Sequence, residues 1–151
     1  MILKTKVDKS SDNILIFTCS TNEVDFKGDR IYMKGMKFNR FLKNPIFLYN
    51  HKKDELPLGK FLSLRVEDDK LIGEVQFWIN PLESSTWSEH DKKAQSIYEM
   101  YKDGFMSAVS ISTFDIDYSP NKYGGDDIYE CELIEISAVI LPMNENALIV
   151  R

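Results

Sequence analysis

The stretch LIEISAVIL, residues 133–141, constrains the fold more than any other part of the chain. It is the core of an extended run over residues 128–141, which Pro142 ends. Glu135 sits inside it, surrounded by Leu133, Ile134, Ile136, Ala138, Val139 and Ile140. A carboxylate in such a run is expected to be at least partly buried. Its desolvation would cost several kcal/mol without a partner. The partner must be a Lys or Arg, a pair of backbone N–H groups, or a His. An ion pair or a surface-facing Glu is the plain structural reading. A carboxylate that orients an imidazole is the functional one.

The second constraining stretch is SAVSISTF, residues 107–114, which follows a helix stop at Asp103-Gly104. Period-2 alternation puts Val109, Ile111 and Thr113 on one face and Ala108, Ser110, Ser112 and Phe114 on the other. The first set suits a core. The second presents two hydroxyls from a rigid strand, where packing fixes the backbone that carries them. A half-buried strand with a polar face is the ordinary alternative.

Other extended segments fall at residues 14–20 and at IFLYNH, residues 46–51, after Asn44-Pro45. In the latter, alternation groups Phe47, Tyr49 and His51 on one face and puts His51 at a strand end. Residues 58–66 and 71–79 read as a hairpin joined by Glu67-Asp68-Asp69-Lys70, with Gly73 marking a bulge or a close backbone approach. Residues 22–30 are loop-like, and residues 38–43 allow a short helix. Residues 86–102 predict the main helix, with Thr86 and Glu89 as a capping box and Trp87, Ala94, Ile97, Tyr98 and Tyr101 as the apolar stripe. His90 reads as a solvated position on that helix. Residues 118–127, YSPNKYGGDD, read as an exposed hairpin loop, and residues 1–13 as a polar edge.

The length of 151 residues fits one domain with a sizeable core. A net charge of −5 without a basic cluster argues against nucleic-acid binding. No apolar run reaches membrane-span length and no signal-peptide-like stretch opens the chain, so a cytoplasm-like compartment is expected. Cys19 and Cys131 stand outside any CxxC pattern and read as buried free thiols. With two His, a zinc site lacks its usual ligands, and neither metal nor cofactor is expected.

A hydroxyl, an imidazole and a carboxylate are the parts of a nucleophile, a general base and the acid that orients the base. Four stretches make the arrangement more specific. FTCSTNEVDFKGDRI opens the set at residues 17–31, and NPIFLYNH with a following PLGK covers residues 44–60. KDGFMSAVSISTF follows at residues 102–114, and LIEISAVILPMNENA at residues 133–147. In kind and order they resemble the tailed-phage prohead maturation protease family, which is allied to the herpesvirus assemblins.

The resemblance implies His51 as the base, Ser110 as the nucleophile and Glu135 as the acid. Strand alternation does not choose between Ser110 and Ser112; the resemblance chooses Ser110. Where the family has Gly then Phe after Ser-Ile, this chain has Ser112, Thr113 and Phe114, which implies an altered backbone approach beside the nucleophile. The implied fold is α+β and mainly β: a single, compact, closed or partly open antiparallel barrel flanked by helices. The implied activity is serine endopeptidase cleavage of scaffold and capsid-protein segments, inside the assembling procapsid in the host cytoplasm. Self-cleavage and a homo-oligomer are also implied, with no nucleic acid or membrane as partner. The alternatives are a non-catalytic barrel of the same shape that binds scaffold or capsid protein, and an unrelated small β-rich binding domain.

Overall fold

The computed structural model describes residues 13–151; the polar edge expected over residues 1–13 lies, except for Asn13, outside them. A single sheet curls into a nearly closed barrel. Its strands are β1 (Ile14–Thr21), β2 (Arg30–Ile31), β3 (Met36–Lys37), β4 (Ile46–Tyr49), β5 (Gly59–Glu67), β6 (Lys70–Phe77), β7 (Ala108–Pro120) and β8 (Asp126–Val139). The path runs β1-β6-β5-β4-β8, with β7 along the other edge of β8. The β1–β7 seam is zipped by the C-terminal segment. Thr18 N–H donates to Leu148 O (2.9 Å), Val150 N–H to Ile16 O (2.8 Å), Val109 N–H to Ala147 O (3.0 Å) and Ile149 N–H to Ser107 O (2.7 Å).

The expected antiparallel barrel is in fact mixed, because β2, β3 and β4 all run parallel to β8. A parallel neighbour needs a long crossover. The chain between β4 and β8 supplies it, passing through β5, β6, the helix and β7. Where flanking helices were expected, the described residues hold one α-helix beside the barrel, with short 3-10 turns at Met33–Gly35, Phe41–Lys43 and Ser84–Thr86.

The β5–β6 hairpin turns on Asp68 and Asp69, both left-handed (φ 49° and 58°), the geometry that matches strand twist in a two-residue turn. At Gly73 the close approach is real: a Cβ there would lie 2.6 Å from Phe61 Cε1 and 3.0 Å from Cys19 Sγ. Register shifts fall elsewhere, between Thr18 and Ser20, between Phe61 and Ser63, and in β7 after Ser112, Asp115 and Asp117. The strand β7 continues to Pro120, so the loop expected over residues 118–127 shrinks to the turn between β7 and β8.

Inside the barrel, Phe17, Phe47, Phe61 and Phe77 are fully buried. Phe47 meets Phe61 and Phe77 edge-on at 5.6 and 5.5 Å between ring centroids. Burial of each such ring contributes about 1.5–3 kcal/mol. The helix α1 (Glu89–Lys102) lays Ala94, Ile97, Tyr98 and Tyr101 on this cluster. Tyr101 packs on Phe17 at 5.0 Å, and its hydroxyl donates to Ala108 O at 2.6 Å. Cys19 and Cys131 are free and buried, and burial pushes the Cys131 thiol up to about 12.

The helix begins two residues later than its sequence suggests. Ser88 is the cap: its hydroxyl accepts from Asp91 N–H (3.1 Å), and the Asp91 carboxylate accepts from Ser88 N–H (2.9 Å). Thr86 instead closes the preceding 3-10 turn by donating to Glu83 O. His90 is not simply solvated, since its Nε2 meets Pro57 O at 2.9 Å and ties α1 to the chain ahead of β5. Among the described residues no helix is long and apolar enough to cross a membrane.

Hydrogen bonds from Trp78 Nε1 and Asn80 Nδ2 hold the Asp91 carboxyl well below the usual range, with the Ser88 N–H adding to them. A depressed folded value contributes stability above the unfolded value of about 3.9, and that stability is lost as pH falls toward the folded value. The melting-temperature gap between wild type and Asp91→Asn is therefore expected to be widest near neutral pH and to narrow below about pH 4. Thermal melts across that range check it; a constant gap would contradict it.

Candidate catalytic site

The sequence-predicted residues converge on β8. Antiparallel register pairs Ser110 with Ser137 and Ser112 with Glu135, so all four share one face of the sheet. The intervening Val109, Ile111, Ile136 and Ala138 face the core. On the other side of β8, parallel register pairs Phe47 with Ile136 and Leu48 with Ser137. The outward face at this point is therefore that of Leu48.

His51 reaches that face by leaving the strand. Residues 46–51 do not form one extended run; β4 stops at Tyr49, and Asn50 and His51 are both left-handed (φ 50° and 60°). Continued alternation would have sent His51 to the Phe47 side, into the barrel. The two left-handed residues break that parity and carry the ring over β8. Each such conformation costs about 1–2 kcal/mol in a non-glycine residue. Hydrogen bonds hold the bend in place: Asn50 N–H donates to Ala138 O at 2.9 Å and His51 N–H to Ser137 Oγ at 3.1 Å.

Glu135 is 4% exposed, and both of its oxygens are engaged. Oε1 meets His51 Nδ1 and accepts from Ser112 Oγ (2.7 Å); Oε2 accepts from Ser137 Oγ (2.6 Å). Of the partners left open for Glu135 by the sequence, the structure places His51 there, together with two serine hydroxyls. Ser112 Oγ also lies 3.4 Å from His51 Nδ1. A carboxylate can only accept, so the network assigns the ring proton to Nδ1 and leaves Nε2 unprotonated in the neutral imidazole. The His51 side chain is 39% exposed, against 5% for Glu135. A half-open imidazole is thereby held from below by a buried acid.

Ser110 is placed beside this group but is not hydrogen-bonded to it. It is 8% exposed, and no described residue engages its hydroxyl. It borders a cleft of about 60 Å³ in the β1–β7 seam, shared with Ser20, Thr21, Ile111 and Asn144. Val109 N–H uses the seam edge of β7 to reach Ala147 O, so strand alternation turns Ile111 N–H to the same edge. The structure thus brings together His51, Glu135, Ser112 and Ser137, with Ser110 next along the same face. Sequence reasoning missed Ser137. Its signal was present, because residues 135 and 137 of one strand share a face.

Among the described residues no group of three or more His, Cys, Asp or Glu is placed to hold a metal ion. No family model matches the chain, and neither a curated protein nor a solved structure matches it.

Ser137 is fully buried and holds both Glu135 and the His51 backbone, whereas Ser112 is only half-buried. Ser137→Ala is expected to cost about 1.5–3 kcal/mol, the range for a hydrogen bond to a charged group. Ser112→Ala should cost less, because water can replace its hydroxyl. Urea unfolding of both variants checks the ranking; equal costs would contradict it.

Proposed function

We propose that this barrel is a serine endopeptidase that cuts scaffold and capsid-protein segments during phage procapsid maturation, with Ser110, His51 and Glu135 as its catalytic residues. One observation carries the reading. Three segments far apart in sequence deliver a buried carboxylate, an oriented imidazole and strand-borne hydroxyls to one face of one strand pair. The four-stretch resemblance to prohead proteases supplies the substrate class.

Nδ1 is taken by Glu135, so the proton-accepting nitrogen is Nε2. Ser112 sits on the Nδ1 side and already donates to Glu135, which makes it an orienting group. Ser110 has the hydroxyl left over. In the reaction, Ser110 Oγ attacks the peptide carbonyl carbon while His51 Nε2 takes its proton. The carbonyl oxygen becomes an oxyanion, and Ile111 N–H, turned to the seam edge by strand parity, is the backbone donor assigned to it. Collapse breaks the C–N bond, and the imidazolium returns its proton to the leaving amine. Water then attacks the acyl-serine, passes a proton through Nε2 and frees the carboxylic acid. Throughout, the buried Glu135 stabilises the imidazolium. The Ser110–His51 hydrogen bond forms when substrate or shell assembly closes the site, as apo catalytic contacts often tighten only in the complex.

A second reading rests on the same contacts. The hydroxyl that meets the imidazole belongs to Ser112. A barrel of this shape that binds capsid or scaffold segments without cutting them would need no Ser110–His51 contact.

A fluorophosphonate probe separates the two. Labelling is expected at Ser110, found by peptide mass mapping. Ser110→Ala and His51→Ala should abolish it, while Ser112→Ala should retain it at a reduced rate. No label on folded wild type, even with the capsid substrate present, favours the binding barrel. Label on Ser112 would overturn the assignment of the nucleophile.

A further inference from the structure

His51 lies near the start of the link between β4 and β5, where residues 50–56 are all exposed. Its left-handed bend is held on the barrel side by Ala138 O and Ser137 Oγ. Those two bonds leave the rest of the link unrestrained. An exposed link free to relax would release a bend that costs about 1–2 kcal/mol per residue, and the ring would leave Glu135 with it. A strained conformation of this kind persists when it is held from both sides.

The helix α1 supplies the outer hold. His90 and Lys93 are three positions apart and share one helix face. Lys93 Nζ lies 3.8 Å from the centroid of the Tyr49 ring and 3.0 Å from Glu55 Oε2. Tyr49 is the last residue before the bend, and Glu55 stands beyond His51 on the far stem. A single ammonium therefore joins both stems of the segment that carries His51. Lys52 Nζ, inside the segment, meets the same carboxylate at 3.3 Å and the same ring at 5.8 Å. Hydrogen bonds from Lys93 and then Lys52 lower the Glu55 carboxyl. One turn earlier on the helix, His90 Nε2 meets Pro57 O at 2.9 Å. The helix cannot follow the link. Ala94, Ile97, Tyr98 and Tyr101 bury one side of it in the core, and Asp91 ties its first turn to Trp78 and Asn80.

We propose that Lys93 is a positioning residue for His51. It clamps Tyr49 and Glu55 to the fixed helix and so keeps the imidazole over Glu135, with Nδ1 toward the acid and Nε2 outward. Lys52 cannot replace it, because Lys52 moves with the link. The role in catalysis rests on the proposed protease reading, whereas the effect on the ring does not.

The test compares the full chain with Lys93→Met, Lys93→Arg and Lys92→Met. Methionine keeps an unbranched stem without the charge, and arginine keeps the charge and stacks on an aromatic ring. Lys92 pairs with Glu89 and is the control. The first readout is the ring 15N shifts of neutral His51, which report the nitrogen that carries the proton. Wild type should hold it on Nδ1. Lys93→Met should raise the Nε2–H fraction at least about threefold, the size available to an exposed cation–ring contact combined with an ion pair. Glu55→Gln weakens the clamp from its other end and should shift the fraction the same way. Lys93→Arg and Lys92→Met should stay at the wild-type fraction. The second readout is fluorophosphonate labelling of Ser110, whose rate should fall in Lys93→Met by a similar factor and recover in Lys93→Arg. A merely structural role would lower the melting temperature and leave the tautomer ratio alone. An unchanged ratio in Lys93→Met, an equal change in Lys92→Met, or a wild-type ring with its proton already on Nε2 overturns the proposal. Should wild type take no fluorophosphonate, the protease reading fails, and the tautomer ratio alone decides for or against the clamp.

Discussion

A carboxylate 4% exposed on the central strand of a barrel is a liability unless its surroundings are built around it. Glu135 is the constraint on which the rest depends. Bare burial would cost several kcal/mol. Charge-assisted hydrogen bonds from Ser112, Ser137 and His51 offset that cost, and each requires its own structural condition. Ser112 must lie opposite Glu135, which fixes the β7–β8 register. Ser137 must share its face, which needs an unbulged strand from 135 to 137. His51 must come from outside the ladder, which needs β4 alongside β8 and a chain that turns back at once. A slip of one residue in β7 would present Ile111 to the carboxylate and Ser112 to the core.

The left-handed pair Asn50-His51 follows from that demand. Strand parity would bury the imidazole among phenyl rings, where it could not reach Glu135. The observed backbone spends conformational energy to reverse the parity, and local strain of this kind clusters where a side chain must be aimed. Ser137 links strain and charge, because one hydroxyl accepts from the strained backbone and donates to the buried acid. A rigid floor and a half-open imidazole result, and the ring's second nitrogen is left for other chemistry.

Local alternation was legible in the sequence; geometry that breaks alternation was not. Val109 and Ile111 on the core side, Ser110 and Ser112 opposite, and a carboxylate at 135 in need of a partner all follow from period-2 reasoning. The hairpin connection at Glu67-Asp68-Asp69-Lys70 was legible from its charged, turn-prone residues, and the structure narrows the turn to Asp68 and Asp69. His51 was found as a strand-end residue but put on the wrong face, since nothing in IFLYNH announces two left-handed residues. The parallel pairing of β4 with β8 was hidden because it joins segments almost ninety positions apart, a contact that no local pattern encodes. At the helix start, Thr86 with Glu89 and Ser88 with Asp91 fit the same capping spacing. Asp91 prevails because Trp78 and Asn80 on the neighbouring segment also bind its carboxylate, a tertiary preference invisible to a local rule.

The two serines of β7 illustrate how one strand face can divide its tasks. Both hydroxyls point the same way, but they are about 7 Å apart, the repeat of two strand residues. The acid lies opposite one of them and the cleft beside the other. A hydroxyl that donates to the carboxylate cannot at the same moment donate to the far nitrogen of the ring that the carboxylate orients. Under the proposed mechanism the group nearest the imidazole is therefore the less suitable attacker, and the unbonded hydroxyl one pair along is the one assigned that part. Proximity in the resting state and the reactivity proposed for the complex are separate properties, and the tautomer imposed on His51 by Glu135 is what would separate them here.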